Sequence, residues 1–151
     1  DVATSLNNLA LLYESQGRYD EAEPLYLQTL EVSKQMLGEV HPSVAASLNN
    51  LALLYESQGR YDEAEPLYLQ DLEMSKQMLG EVHPDVAASL NNLAGLYRSQ
   101  GRYNEAEILF LQALEIAEKT LGLNHPHTVI FRKNLEILRQ EMSVRPPNPS
   151  N

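Results

Sequence analysis

The sequence predicts an all-α protein, a solenoid of helical hairpins, on three observations. A block of 42 residues occurs three times in one register, and its first two copies differ at only four positions. Each copy contains two runs of apolar residues at three- and four-residue spacing, the pattern of a buried helix face. Glycine or proline separates the runs. Hairpins that repeat at a fixed period bury their apolar faces against their neighbours.

Each copy contains a first and a second helix, whose apolar faces the first copy illustrates. The first helix has Val2, Leu6, Leu9, Ala10 and Tyr13 on one face. The second has Ala22, Leu25, Tyr26, Leu30, Ser33 and Leu37. Gly17 suits a left-handed C-cap, and Pro42 suits the first position of the next helix. Helices are therefore expected at 1–16, 19–37, 43–58, 61–79, 85–100, 103–121 and about 127–141.

The repeat divides the chain into units at residues 1–42, 43–84 and 85–126. A fourth, partial copy at 127–142 replaces Ala10 by Glu136 and Tyr13 by Arg139, as a capping helix would. Residues 143–151 contain three prolines and no apolar pattern, which predicts a disordered tail. The chain begins with Asp1 at the start of a repeat, so we expect it to be part of a longer array, with an uncapped first helix.

One substitution conflicts with a small, packed position in the second helix. Asp71 stands where the sister repeats have Thr29 and Ala113. A carboxylate there must reach solvent or a donor, and we expect looser packing in the second hairpin. The acidic residues Asp20, Glu21 and Glu23 occupy a first helical turn, where the helix dipole favours negative charge. We expect them to be solvated.

Composition excludes several classes of protein. The sequence contains no cysteine, which excludes disulfides, cysteine-based zinc sites and thiol catalysis. The formal charge of −10 disfavours nucleic-acid and membrane partners. No apolar stretch is long enough to cross a bilayer, so a cytoplasmic location is expected. No nucleophile–base set, phosphate loop or metal motif occurs, which predicts no enzyme activity, no cofactor and no metal site. His41, His83 and His125 lie one repeat apart, too far to share a metal, and are expected to bond helix ends.

A family resemblance rests on residues that recur at fixed spacing. They are Leu6, Leu9, Ala10, Tyr13, Gly17, Ala22 and Tyr26, within the strings "SLNNLALLY", "GRYDEAEPLY" and "SKQMLGEVHP". With a 42-residue period, this pattern closely resembles the kinesin light chain type of tetratricopeptide repeat (TPR). The resemblance implies a right-handed α-solenoid whose first helices line a concave groove. Near-identical tandem copies are typical of bacterial proteins of this kind, so a bacterial kinesin-light-chain-like protein is expected.

A second stripe on the first helix lies away from its packed face, and the resemblance places it in the groove. At about 100° per residue, the stripe contains Thr4, Asn7, Leu11 and Glu14. The candidate binding residues are Asn7, Asn8, Leu11, Glu14, Asn49, Asn50, Leu53, Glu56, Asn91, Asn92, Arg98 and Lys133. Asparagine can bond the backbone of an extended peptide whatever its sequence. The alternative is that the asparagines cap or bridge neighbouring helices.

The sequence therefore predicts a non-catalytic scaffold that binds an extended peptide or a partner helix in the concave groove. The groove positions are poor in lysine and arginine, which favours a neutral or basic segment. Two alternatives remain open. In the first alternative, the chain is a structural rod that associates end to end through its uncapped first helix. In the second, it is the sensor array of a larger signalling protein.

Overall fold

Seven α-helices follow one another in the computed structural model, which describes residues 1–144. They are α1 (Val2–Ser15), α2 (Tyr19–Leu37), α3 (Pro42–Ser57), α4 (Tyr61–Leu79), α5 (Pro84–Ser99), α6 (Tyr103–Leu121) and α7 (Pro126–Val144). The described residues contain no strand. The predicted all-α fold and its seven helices are confirmed. The chain forms two compact units that divide between Met78 and Leu79.

The last helix is longer than predicted. Ser143 and Val144 were assigned to the tail but continue α7. The Ser143 hydroxyl donates to the carbonyl of Gln140 at 2.8 Å, and Pro146 is the first helix breaker in this stretch. The remainder of the predicted tail, residues 145–151, lies outside the described residues.

Helix boundaries follow the glycine and histidine–proline signals. Gly17 turns the first hairpin with a φ of +73°, which side chains with a Cβ rarely adopt. His41 precedes α3, and its Nδ1 accepts the backbone N–H of Ser43 at 3.0 Å. His83 and His125 make the same bond to residues 85 and 127 at 3.0 and 3.1 Å. The expectation that these histidines bond helix ends is confirmed.

The predicted packed face of the first helix is confirmed in α3 and α5. All five of its positions are buried in both helices: Val44, Leu48, Leu51, Ala52 and Tyr55, and Val86, Leu90, Leu93, Ala94 and Tyr97. In α1 only Ala10 is buried, whereas Val2 and Leu9 are 65% and 39% exposed. This face of α1 is therefore accessible in the structure.

The second helices bury smaller residues than predicted. In α2 the buried set is Ala22, Tyr26, Thr29 and Ser33, while the predicted Leu37 is exposed. Small side chains allow the helices to approach closely, so position 29 of the repeat belongs to the core. Its counterpart Asp71 is 6% exposed. Asp71 makes a polar interaction, and no fully buried side-chain nitrogen or oxygen in the described residues lacks a hydrogen bond. The carboxylate is therefore accommodated in the core with a polar interaction.

A carboxylate joins α2 to α3 within the first unit. Glu23 accepts the hydroxyl of Tyr55 at 2.9 Å and two guanidinium nitrogens of Arg60 at 2.9 and 3.2 Å. The Arg60 guanidinium also lies over the Tyr55 ring, 4.2 Å from its centroid. The bonds from Arg60 hold the pKa of Glu23 below its usual value. The expectation of a merely solvated acidic helix start is therefore wrong for Glu23.

The second unit contains the corresponding junction in a shorter form. Glu107, the counterpart of Glu23 in α6, accepts Nε of Arg139 in α7 at 3.1 Å. Arg139 occupies the position of the tyrosine in the other first helices. The capping interpretation of α7 explained Arg139 as a solvent-facing charge. The ion pair shows that Arg139 also holds α7 to the preceding helix.

Tyrosine truncations test the packed face. Tyr55→Ala should lower the free energy of unfolding by about 3–5 kcal/mol, as for other buried aromatic residues. Tyr97→Ala should behave alike because Tyr97 is equally buried. Tyr13 is half-buried, so Tyr13→Ala should cost clearly less. Urea denaturation measures all three, and equal losses for Tyr13→Ala and Tyr55→Ala would contradict the assigned register.

Candidate functional site

The predicted binding residues lie on α1 and α3 of the first unit and on α5 and α7 of the second. All of them retain accessible surface. Asn8, Leu11, Leu53, Arg98 and Lys133 are exposed, and the rest are half-buried: Asn7, Glu14, Asn49, Asn50, Glu56, Asn91 and Asn92. Leu11 is 45% exposed and Leu53 is 39% exposed, and both offer apolar contact area.

The asparagines connect neighbouring first helices. In the first unit, Nδ2 of Asn50 donates to Oδ1 of Asn7 at 3.1 Å. In the second unit, Nδ2 of Asn134 donates to Oδ1 of Asn91 at the same distance. In both bonds the donor stands at the second asparagine position of the repeat and the acceptor at the first asparagine position of the preceding repeat. The bridging alternative is therefore observed in both units.

These bonds leave part of each amide available. An asparagine side chain has two N–H donors and two acceptor lone pairs. The bond from Asn50 occupies one lone pair of the Asn7 oxygen, and both N–H donors of the Asn7 amide remain available. Lys133 of α7 occupies the position of the first asparagine and lies exposed on the surface.

The glutamates of the stripe bind buried tyrosines of their own hairpins. Tyr26 donates its hydroxyl to Glu14, and Tyr68 donates to Glu56 at 2.9 Å. Burial raises the pKa of both tyrosines, and it also raises the pKa of Glu56, against the opposite effect of its bond from Tyr68. Glu14 and Glu56 therefore stabilise the hairpins as well as facing the candidate surface.

The third hairpin replaces both partners of this contact. Phe110 stands in place of the tyrosine and Arg98 in place of the glutamate. Arg98 instead forms an ion pair with Glu141 of α7. Sequence analysis treated Arg98 as a cation of the binding surface, but its charge is neutralised within the second unit.

Two isoleucines were missed by sequence analysis. Ile130 and Ile137 of α7 are 51% and 38% exposed and hold the positions of Thr4 and Leu11 in the repeat. Comparing α7 with α1 at an offset of 126 residues would have identified them. They make the stripe more apolar on α7 than on α1.

Metal sites and membrane-spanning helices each have geometric requirements that the described residues do not meet. Across residues 1–144, no three His, Asp or Glu side chains gather as they would around a metal ion. His125 and His127 contact each other edge to face, with ring centroids 5.1 Å apart, and His127 stacks on Phe131. No helix in that part of the chain is long and apolar enough to cross a membrane.

The sequence matches models of one protein family. Two models described as tetratricopeptide repeat match residues 1–77 and 86–127. No curated protein matches the sequence.

Solved structures with the same fold include two proteins related to kinesin light chains. One, from Podosopora anserina, is described as a kinesin light chain with nearly identical TPR-like repeats. It has a TM-score of 0.81 and 31% sequence identity over 93% of this chain and 66% of its own. BtubC (BKLC) from P. vanneervenii has a TM-score of 0.75 and 26% identity over 97% of this chain and 66% of its own. This chain thus spans 66% of the length of each.

A more distant likeness concerns the fold alone. The type III secretion translocator chaperone SycD of Yersinia enterocolitica has a TM-score of 0.67 and 16% identity, over 93% of this chain and 86% of its own. The predicted resemblance to kinesin-light-chain-like TPR proteins and the predicted solenoid class are confirmed. The bacterial source and the cytoplasmic location stay predictions.

Matched asparagine substitutions test the bridging bonds. Asn50→Ala should lower the free energy of unfolding by about 0.5–1.5 kcal/mol because it removes the donor to Asn7. Asn8 holds the same repeat position in α1 but is exposed and, among the described residues, makes no hydrogen bond through its side chain. Asn8→Ala should therefore be nearly neutral in urea denaturation. A loss for Asn8→Ala as large as that for Asn50→Ala would contradict the structural role.

Proposed function

We propose that this chain, which belongs to the tetratricopeptide repeat family, is a non-catalytic scaffold. It would bind an extended peptide or a partner helix. Protein–protein interaction is the usual role of such repeats. The proposed surface is the stripe of asparagine, leucine and isoleucine on the first helices, and each unit contributes its own stretch of it. The single observation that supports this surface best is its combination of exposed apolar side chains with the Asn7 amide, whose N–H donors the bond from Asn50 leaves available.

The asparagine bonds contribute to recognition in an indirect way. Because Asn50 holds Oδ1 of Asn7, the orientation of the Asn7 amide is fixed before a partner binds. A group that is already ordered loses less conformational entropy on binding. The free N–H donors of Asn7 then suit the carbonyl groups of an extended backbone. Bridging and binding are therefore compatible roles of the same residue.

The charge of the surface favours a neutral or basic segment. Glu14 and Glu56 face it, Arg98 is paired with Glu141, and Lys133 is the exposed cation of the stripe among the described residues. An acidic peptide would meet like charge at the two glutamates and few charge-assisted donors.

A triple substitution tests the binding surface. Asn7→Ala, Asn49→Ala and Asn91→Ala combined should abolish binding of a partner captured with the wild-type chain, while each single change should weaken it only several-fold. The matched control is Gln28→Ala, Gln70→Ala and Gln112→Ala combined, three exposed amides on the second helices. The measurement is the affinity of the captured partner by isothermal titration calorimetry. Unchanged affinity of the asparagine triple variant, with loss in the glutamine variant, would move the site to the second helices.

A second candidate role is association with another copy of this chain through α1. The α3 surface filled by α2 has the same residues as the exposed surface of α1. Leu54 is fully buried, whereas its counterpart Leu12 is 52% exposed. Arg18 lies over Tyr13 as Arg60 lies over Tyr55, but its carboxylate partner is Glu21 of its own hairpin. The chain itself thus supplies chemistry that fits this face, and a further copy is the proposed occupant.

Sedimentation at increasing concentration tests this association. The chain should self-associate, and Leu12→Glu should shift the equilibrium to the monomer because it places a charge in an apolar contact. Leu27→Glu is the control, since Leu27 is similarly exposed, at 44%, on α2. A chain that stays monomeric at high concentration, or equal effects of both substitutions, would contradict the proposal.

A further inference from the structure

A polar pocket of about 190 Å³ lies within the first unit, where α1, α2 and α3 meet. Its polar lining includes Thr4, Asn7, Thr29, Ser33, Ser47 and Asn50, together with Asp1. The pocket opens beside the Asn7–Asn50 bond and so borders the proposed binding surface. The sequence pattern placed Ser33 and Thr29 at packed positions of the second helix and gave their hydroxyl groups no role in binding.

Ser33 shows that the pocket offers unused bonding capacity. The residue is 3% exposed, and its hydroxyl has no hydrogen-bond partner among residues 1–144. Fully shielded side-chain oxygens in that range all have partners, so the Ser33 hydroxyl reaches the pocket space. A serine or threonine inside a helix can satisfy its hydroxyl by bonding a carbonyl one turn earlier, and Ser33 makes no such bond. Thr29 and Ser47 each make one.

The other polar groups define what a ligand must supply. Thr29 donates to the carbonyl of Leu25 at 2.8 Å, and Ser47 donates to that of Ser43 at 2.9 Å. Each hydroxyl has one hydrogen, so both can only accept a further bond. Ser33 and Nδ2 of Asn7 can donate. The pocket therefore fits a group that donates two hydrogen bonds and accepts one or two.

The second unit shows that helix packing does not require these hydroxyls. At the equivalent positions, 84 residues later, Thr29 becomes Ala113, Ser33 becomes Ala117 and Ser47 becomes Phe131. All three replacements are buried, and Phe131 places an aromatic ring where Ser47 stands in the first unit. The same hairpin thus packs with an apolar lining. The polar lining of the first unit is therefore not required by packing.

We propose that this pocket receives the side-chain carboxamide of an asparagine or glutamine. The inference rests on the proposed peptide-binding function, of which it specifies one anchor residue. A carboxamide has two N–H donors for Thr29 and Ser47 and an oxygen that accepts from Ser33 or Asn7. A carboxylate has no donor, and an ammonium group has no acceptor and is costly to desolvate. One water occupies roughly 30 Å³, so the pocket has room for a carboxamide of three heavy atoms.

Small probes test the pocket without the unidentified partner. The full chain is titrated with N-acetylglutamine methylamide while backbone amide resonances are followed by ¹⁵N NMR. Saturable shifts should appear at residues lining the pocket. The glutamate and methionine analogues have the same side-chain length, and each should bind at least tenfold more weakly, because each leaves buried polar groups unpaired.

Three variants locate the binding to this pocket. Ser33→Ala should weaken the glutamine probe about two- to tenfold. Ser47→Phe, which introduces the residue found at the equivalent position of α7, should abolish binding. Ser75→Ala is the matched control, since Ser75 is the same buried serine one repeat later but does not line this pocket. It should leave the shifts in the first unit unchanged.

The outcomes separate this pocket from the wider function. Equal shifts with all three probes, no saturable shift, or an unaffected Ser33→Ala variant would overturn the carboxamide assignment. Ser33→Ala keeps the test valid if Ser47→Phe does not fold. None of these results depends on the asparagine triple variant, whose own failure would overturn the peptide-binding surface instead.

Discussion

The contact between Glu23 and the pair Tyr55–Arg60 fixes how α3 sits on α2, and other features of the first unit follow from it. The carboxylate accepts hydrogen bonds from Tyr55 of α3 and from Arg60, between α3 and α4, and so restrains both the height and the rotation of α3. On the same helix, Asn50 donates to Asn7 at 3.1 Å. In the second unit, Glu107–Arg139 accompanies Asn134–Asn91 in the same relation. In each unit, an ion pair near one end of the helices and an amide pair nearer their middle thus specify the same register between neighbouring helices.

This constraint also explains the division between structural and available groups on the candidate surface. Glu14 and Glu56 accept hydrogen bonds from buried tyrosines, and Arg98 forms an ion pair with Glu141. These side chains are therefore held in place by the fold. Leu11, Leu53, Ile130 and Ile137 have no such role and are exposed. The asparagines belong to both groups because one amide can bridge and still donate. Recognition by this surface would therefore combine pre-ordered polar groups with apolar side chains that adapt to a partner.

The helices and the packed face of α3 and α5 were predictable because they depend on period and local signals that the repeat presents three times. The roles of Glu23 and Arg139 were not. An acidic residue in a first helical turn satisfies the helix dipole wherever it points, so the local pattern gives no sign that Glu23 reaches the next helix. The asparagines illustrate a different limit. An amide that faces a groove and one that bridges two helices have the same spacing in sequence, so the pattern could not distinguish the two roles.

The third hairpin shows how the repeat can change its surface without changing its stacking. Glu→Arg at residue 98 and Tyr→Phe at residue 110 occur together, so neither a buried hydroxyl nor a carboxylate is left without its partner. Arg98 then binds α7 through Glu141, a contact that a glutamate at this position would oppose. The junction at Glu107 and the bridge at Asn91 remain intact. The coupled pair at residues 98 and 110 thus changes what this hairpin presents, while Glu107 still binds the following helix, although arginine replaces tyrosine as its donor. A repeat protein built this way can vary the surface of a hairpin and keep the carboxylate contact that joins it to the next first helix.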